Sequence, residues 1–319
     1  MVLIPAGPAT VLEYLEDTID SVYHHTGVQN CKVVVLDDSR QDKFASVGDR
    51  FPSTVVIKTP DYHEGTRSST RGSLFGKQIY ALRWLTDRYG FDVLLRMDTD
   101  AIMIGDSPHE DVLAFLKRHP KVGMVGAFTR RGDGSDKRLA MISKGRELTR
   151  EVRLRLGFKN LALAIRLRRL VRRAETNGYC RGDMCTGGAY FLSSSAVLAM
   201  KEQGFFALDA LGHSKLMDDA LMALLCCAAG YRLSDMPEDD DILAINWRRV
   251  PMAPDMLVSK NKKIVHPVKD DDPTVEPRVR EYFQGRRGTR SGSVADGSRL
   301  PDAGATAINQ LPESAVPPQ

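Results

Sequence analysis

An α/β fold on a mostly parallel sheet is predicted by three observations from the first hundred residues. Short, predominantly apolar runs recur at residues 2–4, 31–36 and 93–97. Segments with apolar residues at helical spacing separate them, and the runs stop at Pro5, Asp37 and Asp98. Strands buried on both faces read as runs rather than as alternation, and strand–helix alternation implies parallel strands joined by right-handed crossovers.

The elements follow in order. The first strand, 2–4, stops at Pro5-Ala6-Gly7-Pro8, and Leu12, Leu15, Ile19 and Val22 then line one helical face. Residues 31–36 form a β-branched run closed by Asp37, Asp38 and Ser39, and Val55, Val56 and Ile57 make another strand. Residues 65–76, rich in Ser, Thr, Arg and Gly, form a loop, behind which Ile79, Leu82, Leu85 and Tyr89 share a helix face. The strand at 93–97 delivers Asp98-Thr99-Asp100. Parallel sheets bind ligands beyond the carboxyl ends of their strands, so Pro5, Asp37, Asp38, Asp98 and Asp100 are expected to converge on one crevice.

The middle of the chain changes character. Residues 144–173 are crowded with Lys and Arg, with Leu148, Val152, Leu161, Ile165 and Leu170 between them, which predicts one or two basic amphipathic helices interrupted near Gly157. The strand pattern returns at 186–193. Asp218 and Asp219 open a helix that continues through Leu225, and 231–233 is a short strand. From Gln284 onward, Gly, Ser, Arg, Pro and Ala dominate without periodicity, so 284–319 is expected to be a disordered tail. There is no internal repeat.

The totals leave the partner open. The 319 residues hold 45 basic and 41 acidic side chains, a net charge of +4 that argues neither for nor against nucleic acid. The five cysteines, Cys31, Cys180, Cys185, Cys226 and Cys227, show neither Cys-x-x-Cys spacing nor interleaved histidines, so reduced thiols in a cytosol are the simplest expectation. No apolar stretch of about 18 residues suggests a spanning helix. Residues 1–5 lack the basic start and apolar core of a signal peptide, and cytoplasmic location is expected.

Asp98 and Asp100 carry the chemistry. On a strand, residues i and i+2 face the same side, so both carboxylates are expected to face a ligand above the sheet. Oxygen ligands suit Mg²⁺ or Mn²⁺, and such an ion bridging a diphosphate neutralises charge building on a leaving group.

Taken in order, residues 2–5, 33–39 and 95–100 resemble the nucleotide-binding half of GT-A glycosyltransferases, particularly the family 2-like group. The later segments 187–193, 218–222 and 230–233 are similar to the acceptor-side strand, the Glu-Asp helix and the Gly-Tyr-Arg turn of such enzymes. The resemblance covers roughly residues 1–270 without the basic insert, and implies a Rossmann-like sheet in one domain, 1–283. Its nucleotide-binding half is about 1–128, the insert about 130–178 and the acceptor half about 180–270. The implied reaction moves a sugar from a nucleoside diphosphate, a UDP-sugar being favoured, to a hydroxyl of a glycan, lipid or other acceptor, with inversion.

The resemblance also implies roles. Pro5 lies at the nucleotide, Asp37 or Asp38 at its base and ribose, Asp98 serves ribose and metal, Asp100 is the principal metal ligand, and His266 completes the metal shell. Asp219 matches the general base of inverting members. This chain has Asp-Asp where relatives have Glu-Asp, so the choice between Asp218 and Asp219 stays open. Arg71 and Lys77 are candidates for the diphosphate.

Plainer readings compete. Asp37 and Asp38 can form an Asx-type turn, Asp218 and Asp219 can cap a helix, and His266 can be an ordinary loop histidine. Arg71 and Lys77 can be solvated charges, and residues 238–241 read as a solvated turn rather than a second metal site. The basic insert can lie on an anionic bilayer at the inner membrane face, or pack as a surface helix pair over the acceptor site. Nucleic acid is not expected, because few aromatics accompany the arginines. Rival functions are a sugar-nucleotide nucleotidyltransferase, which usually carries a basic Gly-rich loop where residues 5–10 have none, and a non-catalytic docking protein on the same fold.

Overall fold

The computed structural model describes residues 1–39, 42–59, 72–153, 161–207 and 209–293. The predicted strands appear as β1 (Val2–Ala6), β2 (Val33–Asp37), β3 (Thr54–Lys58) and β4 (Val93–Met97), joined in the same sheet by β6 (Val122–Gly126), β7 (Ala189–Ser193) and β8 (Arg232–Ser234). The order is β3-β2-β1-β4-β7-β6-β8, with β7 alone antiparallel to its neighbours. A mostly parallel sheet flanked by helices is therefore the observed architecture, as expected.

The runs lack polar alternation because both faces are covered. Leu3, Val34, Leu36, Leu94, Tyr190 and Leu192 pack on one side with α3 (Gly72–Thr86), α6 (Leu161–Thr176), α7 (Ser194–Glu202) and α8 (Asp218–Ala228). Val2, Ile4, Val33, Val35, Leu95 and Phe191 pack on the other with α1 (Leu12–Thr26) and α4 (Pro108–Arg118). Alternate residues of each strand thus feed separate layers. Each fully buried Val, Leu or Ile contributes about 1.5–3 kcal/mol, while the charge of Arg96 inside β4 is met by the carboxylates of Asp98 and Asp218.

A second sheet, β5 (Ile102–Met103), β10 (Ile264–His266) and β9 (Leu243–Ile245), follows directly from the end of β4. Its β10 returns antiparallel to β5, pairing Ile264 with Met103 and Val265 with Ile102. That pairing brings His266 back to the edge where β4 ends.

The basic insert forms α5 (Arg138–Val152) and α6, while the predicted break near Gly157 lies outside the described residues. The tail differs from expectation. The helix α10 (Val275–Ser293) runs well past 284, and Gln284 and Arg287 both donate to Asp17 on α1. Polar anchoring holds this segment, a signal that apolar periodicity does not register; residues 294–319 lie outside the described set.

Candidate metal and transfer site

The Asp-x-Asp geometry is a turn rather than a strand end. The strand β4 stops at Met97, and the Ala101 N–H donates to the Asp98 carbonyl at 3.1 Å. The turn is braced from behind: Thr18 Oγ1 lies 3.0 Å from the carbonyl oxygens of both Thr99 and Ala101, and Arg280 Nη2 donates to Thr99 O at 2.9 Å. The two carboxylates still converge, because the turn folds them toward β10 rather than because a pleat aligns them.

His266 Nε2 sits 3.3 Å from Asp100 Oδ1 and 3.6 Å from Asp98 Oδ2. Its Nδ1 lies 3.0 Å from the Asn246 carbonyl, which only accepts, so Nδ1 donates there and Nε2 is the ring nitrogen left facing the carboxylates. A carbonyl orienting the far ring nitrogen is the usual support of a metal-ligating histidine. Among the described residues, Asp98, Asp100 and His266 form a group whose ligand atoms all lie within 4.8 Å of one another. Two carboxylates and one imidazole fit a divalent ion that accepts both oxygen and nitrogen.

Glycines permit this closeness. The Gly188 carbonyl accepts from the Asp98 N–H at 2.6 Å, and a Cβ on Gly188 would meet His266 Nδ1 at 2.1 Å, with φ at +102° besides. Gly187 donates its N–H to Asp219 Oδ2 at 2.9 Å. Because β7 runs opposite to its neighbours, its amino end arrives where β4 finishes, and these glycines face the turn.

Arg96 joins the group of Asp98, Asp100 and His266 to the carboxylates at the amino end of α8. Its Nη1 is 2.8 Å from Asp98 Oδ1 and its Nη2 3.2 Å from Asp218 Oδ2, with the guanidinium over the Tyr190 ring. Burial works against this charge, but Asp98 and Asp218 more than restore it, so Arg96 stays cationic. Asp218 Oδ2 also accepts from Gln78 Nε2 at 2.8 Å.

Asp219 is fully buried, with Oδ1 accepting from the Ala220 N–H and Oδ2 from Gly187. Burial, then the nearby charge of Asp218, pushes its carboxyl up to about 7. Burial likewise raises Asp98, against the pull of Arg96 and His266. Asp100 behaves oppositely: burial is outweighed by His266 and by Lys269, whose Nζ is 2.6 Å from Asp100 Oδ2, so its carboxyl lies well below the usual range.

The remaining predicted residues divide. Pro5 is half-buried in β1 opposite Leu36. Asp37 is buried, accepting from the Ser39 N–H at 2.7 Å, the Asx turn itself, and from Lys58 at 2.8 Å. Asp38 is the member of the pair that reaches solvent, where it accepts from Thr59 Oγ1 and pairs with Lys77. Arg71 lies outside the described residues. Residues 238–240 form an exposed turn, with Glu238 paired to Arg130.

Sequence reasoning missed Arg96, Gln78, Lys269 and Arg280. Only Arg96 left a signal, as an arginine inside an otherwise apolar strand. A cavity of about 380 Å³, lined by Met1, Lys32, Asp92 and His109, opens at the amino ends of β1, β2 and β4, away from this cluster. All five cysteines are free, and only Cys180 is exposed.

No family model matches the chain, and no curated protein matches it by sequence. Among solved structures, it is similar to the mannosyltransferase PcManGT from Pyrobaculum calidifontis in complex with GDP-Man and Mn²⁺ (14% identity, 94% of this chain and 65% of that one, TM-score 0.42). It is also similar to S. aureus TarS residues 1–349 (15% identity, 74% and 57%, TM-score 0.40). A third likeness is to the galactosyltransferase LgtC in complex with donor and acceptor sugar analogues (12% identity, 90% and 95%, TM-score 0.44). The chain thus spans less than two thirds of the length of the first two, and similarity at this level leaves the functional reading to the side-chain geometry.

Proposed function

We propose that the chain is a metal-dependent glycosyltransferase that moves a sugar from a nucleoside diphosphate to an acceptor hydroxyl. The observation that carries this is the convergence of Asp98, Asp100 and His266 beyond the end of β4, with Asp218 at the amino end of α8 joined to them through Arg96. Asp98, Asp100 and His266 would hold the ion, and the imidazole among the donors favours Mn²⁺ over Mg²⁺. When bound, such an ion neutralises charge building on the leaving diphosphate.

The chain's own side chains supply the rest. Lys269 is 63% exposed at its side chain and held only at its tip by Asp100, so it is placed to turn toward the diphosphate. Asp38 reaches solvent beyond β2 and suits the nucleoside.

For the proton acceptor, accessibility comes before pKa. Asp219 has no exposed surface and both oxygens bound by backbone N–H groups, whereas Asp218 keeps 14% of its side chain exposed. We therefore assign Asp218 to the acceptor hydroxyl, with Asp219 fixing the helix start against Gly187. A base on the acceptor side accords with inversion, and product stereochemistry by NMR showing retention would overturn that part.

The reading is tested by a thermal-shift screen of nucleoside diphosphates and nucleotide sugars with Mn²⁺. A selective ligand should raise the melting temperature by mass action and do so only with metal. Asp100→Ala should abolish the shift; a shift that persists without metal or in Asp100→Ala would refute the site.

A further inference from the structure

The two helices of the basic insert each keep one face for the protein and leave the other unpartnered. In α5 the inner face is Met141, Gly145, Leu148 and Val152, and in α6 it is Leu163, Leu167, Leu170 and Ala174. The outer stripes carry Leu139 (83% exposed), Ile142 (53%), Leu161 (41%) and Ile165 (38%). Four of the ten large apolar side chains exposed among the described residues thus fall on this one segment. Each stripe continues into exposed arginines one to two turns on, Arg146 and Arg150 in α5 and Arg169 and Arg172 in α6.

Charge identifies the occupant. Residues 138–176 hold twelve Arg and Lys against three Glu, in a chain whose net charge is only +4, so the rest of the molecule is net negative. A second copy of so cationic a face would be repelled across a two-fold interface. Base stacking needs aromatic side chains, and neither α5 nor α6 contains one. Apolar side chains beside arginines on one helix face suit lipid, with the leucines entering the headgroup boundary and the arginines meeting anionic headgroups. Among the described residues no helix is long and apolar enough to cross a membrane.

We propose that the outer faces of α5 and α6 dock the protein on an anionic lipid bilayer. The docked surface is tied to the carboxylate end of α8, because Glu151 of α5 accepts from Ser214 Oγ at 2.9 Å and from the Lys215 N–H at 2.8 Å, just ahead of Asp218. The inference stands on the helix faces and not on the sugar-transfer reading.

Vesicle flotation tests it, using phosphatidylcholine alone and phosphatidylcholine with phosphatidylglycerol. The full chain should float with the anionic vesicles at low salt, remain behind with the neutral ones, and be released as salt screens the headgroups. Each Arg→Gln change at Arg169 and Arg172 should lower partitioning about fivefold. Leu139→Ser with Ile142→Ser should lower it as well, with an unchanged melting curve because both residues are exposed. Absence of flotation with anionic vesicles, or flotation indifferent to all four changes, overturns the proposal. So does tighter binding of single-stranded RNA that the same variants abolish.

Discussion

Arg280 is 2% exposed and sits behind the metal turn, so its replacement separates what holds the fold from what holds the site. It donates to Asp17 Oδ2 at 2.8 Å, to Glu276 Oε1 at 2.9 Å and to the Thr99 carbonyl at 2.9 Å, the last lying between the two carboxylates of the turn. Removing one partner of a buried ion pair costs about 3–5 kcal/mol. Arg287 and Gln284 remain on Asp17, so Arg280→Ala is expected at the lower end, about 3 kcal/mol by urea unfolding. Loss of a residue that orients metal ligands weakens affinity by about 10–100-fold, and because Thr18 still holds Thr99 O, a loss of about tenfold is expected. Mn²⁺ titration followed by electron paramagnetic resonance, at a temperature where the variant stays folded, measures it. Arg287→Ala is the control, since it also loosens Asp17 without touching Thr99: it should cost comparable stability and leave Mn²⁺ affinity unchanged. Equal weakening in both variants, or in neither, would refute the claim that Arg280 positions the turn.

Three further outcomes are expected. Gly188→Ala forces a Cβ into the His266 ring at a backbone conformation with φ of +102°, and should cost at least about 2 kcal/mol in unfolding experiments and weaken Mn²⁺; Gly187→Ala, 3.2 Å from Asp219, should be milder. Asp218→Asn should lower kcat by about 10²–10⁴-fold while Mn²⁺-dependent nucleotide binding persists, whereas Asp219→Asn should retain more turnover; the reverse order in a steady-state assay would move the base to Asp219. Asp219, with a carboxyl at about 7 when folded against 3.8 as its ordinary value, binds its proton more tightly in the native state. Its contribution to stability is therefore greatest below about pH 4, declines as pH rises toward 7 and is flat above, by a few kcal/mol in all. Metal-free unfolding across that range should show the decline, and Asp219→Asn should flatten it.

The strands β1, β2 and β4 were legible because burial on both faces leaves no polar alternation to blur an apolar run. By contrast β6 was not, since Gly123 and Gly126 break its apolar signal. Both glycines answer to packing: a Cβ at Gly123 would meet Cys226 at 2.7 Å and one at Gly126 would meet Cys185 at 2.9 Å. Asp98, Asp100 and His266 are legible in the sequence, but strand alternation accounts only for the two aspartates, and the structure uses a turn with a returning strand to bring all three together. Arg280 and Arg287 were lost in a Gly- and Arg-rich stretch whose partners lie some 260 residues earlier, on the helix after β1. Long-range polar pairing leaves no periodic trace.

The brace on the metal turn also sets an order of events during synthesis. Asp98 and Asp100 leave the ribosome first, and His266 and Arg280 follow more than 160 residues later. Until they emerge, the carboxylates have neither their third ligand nor the guanidinium that holds Thr99. Parallel strands and such distant contacts form slowly, because loop closure comes before any contact rewards it. The proposed metal ligands are thereby brought together late, and a nascent chain that has not yet reached Arg280 lacks the assembled site.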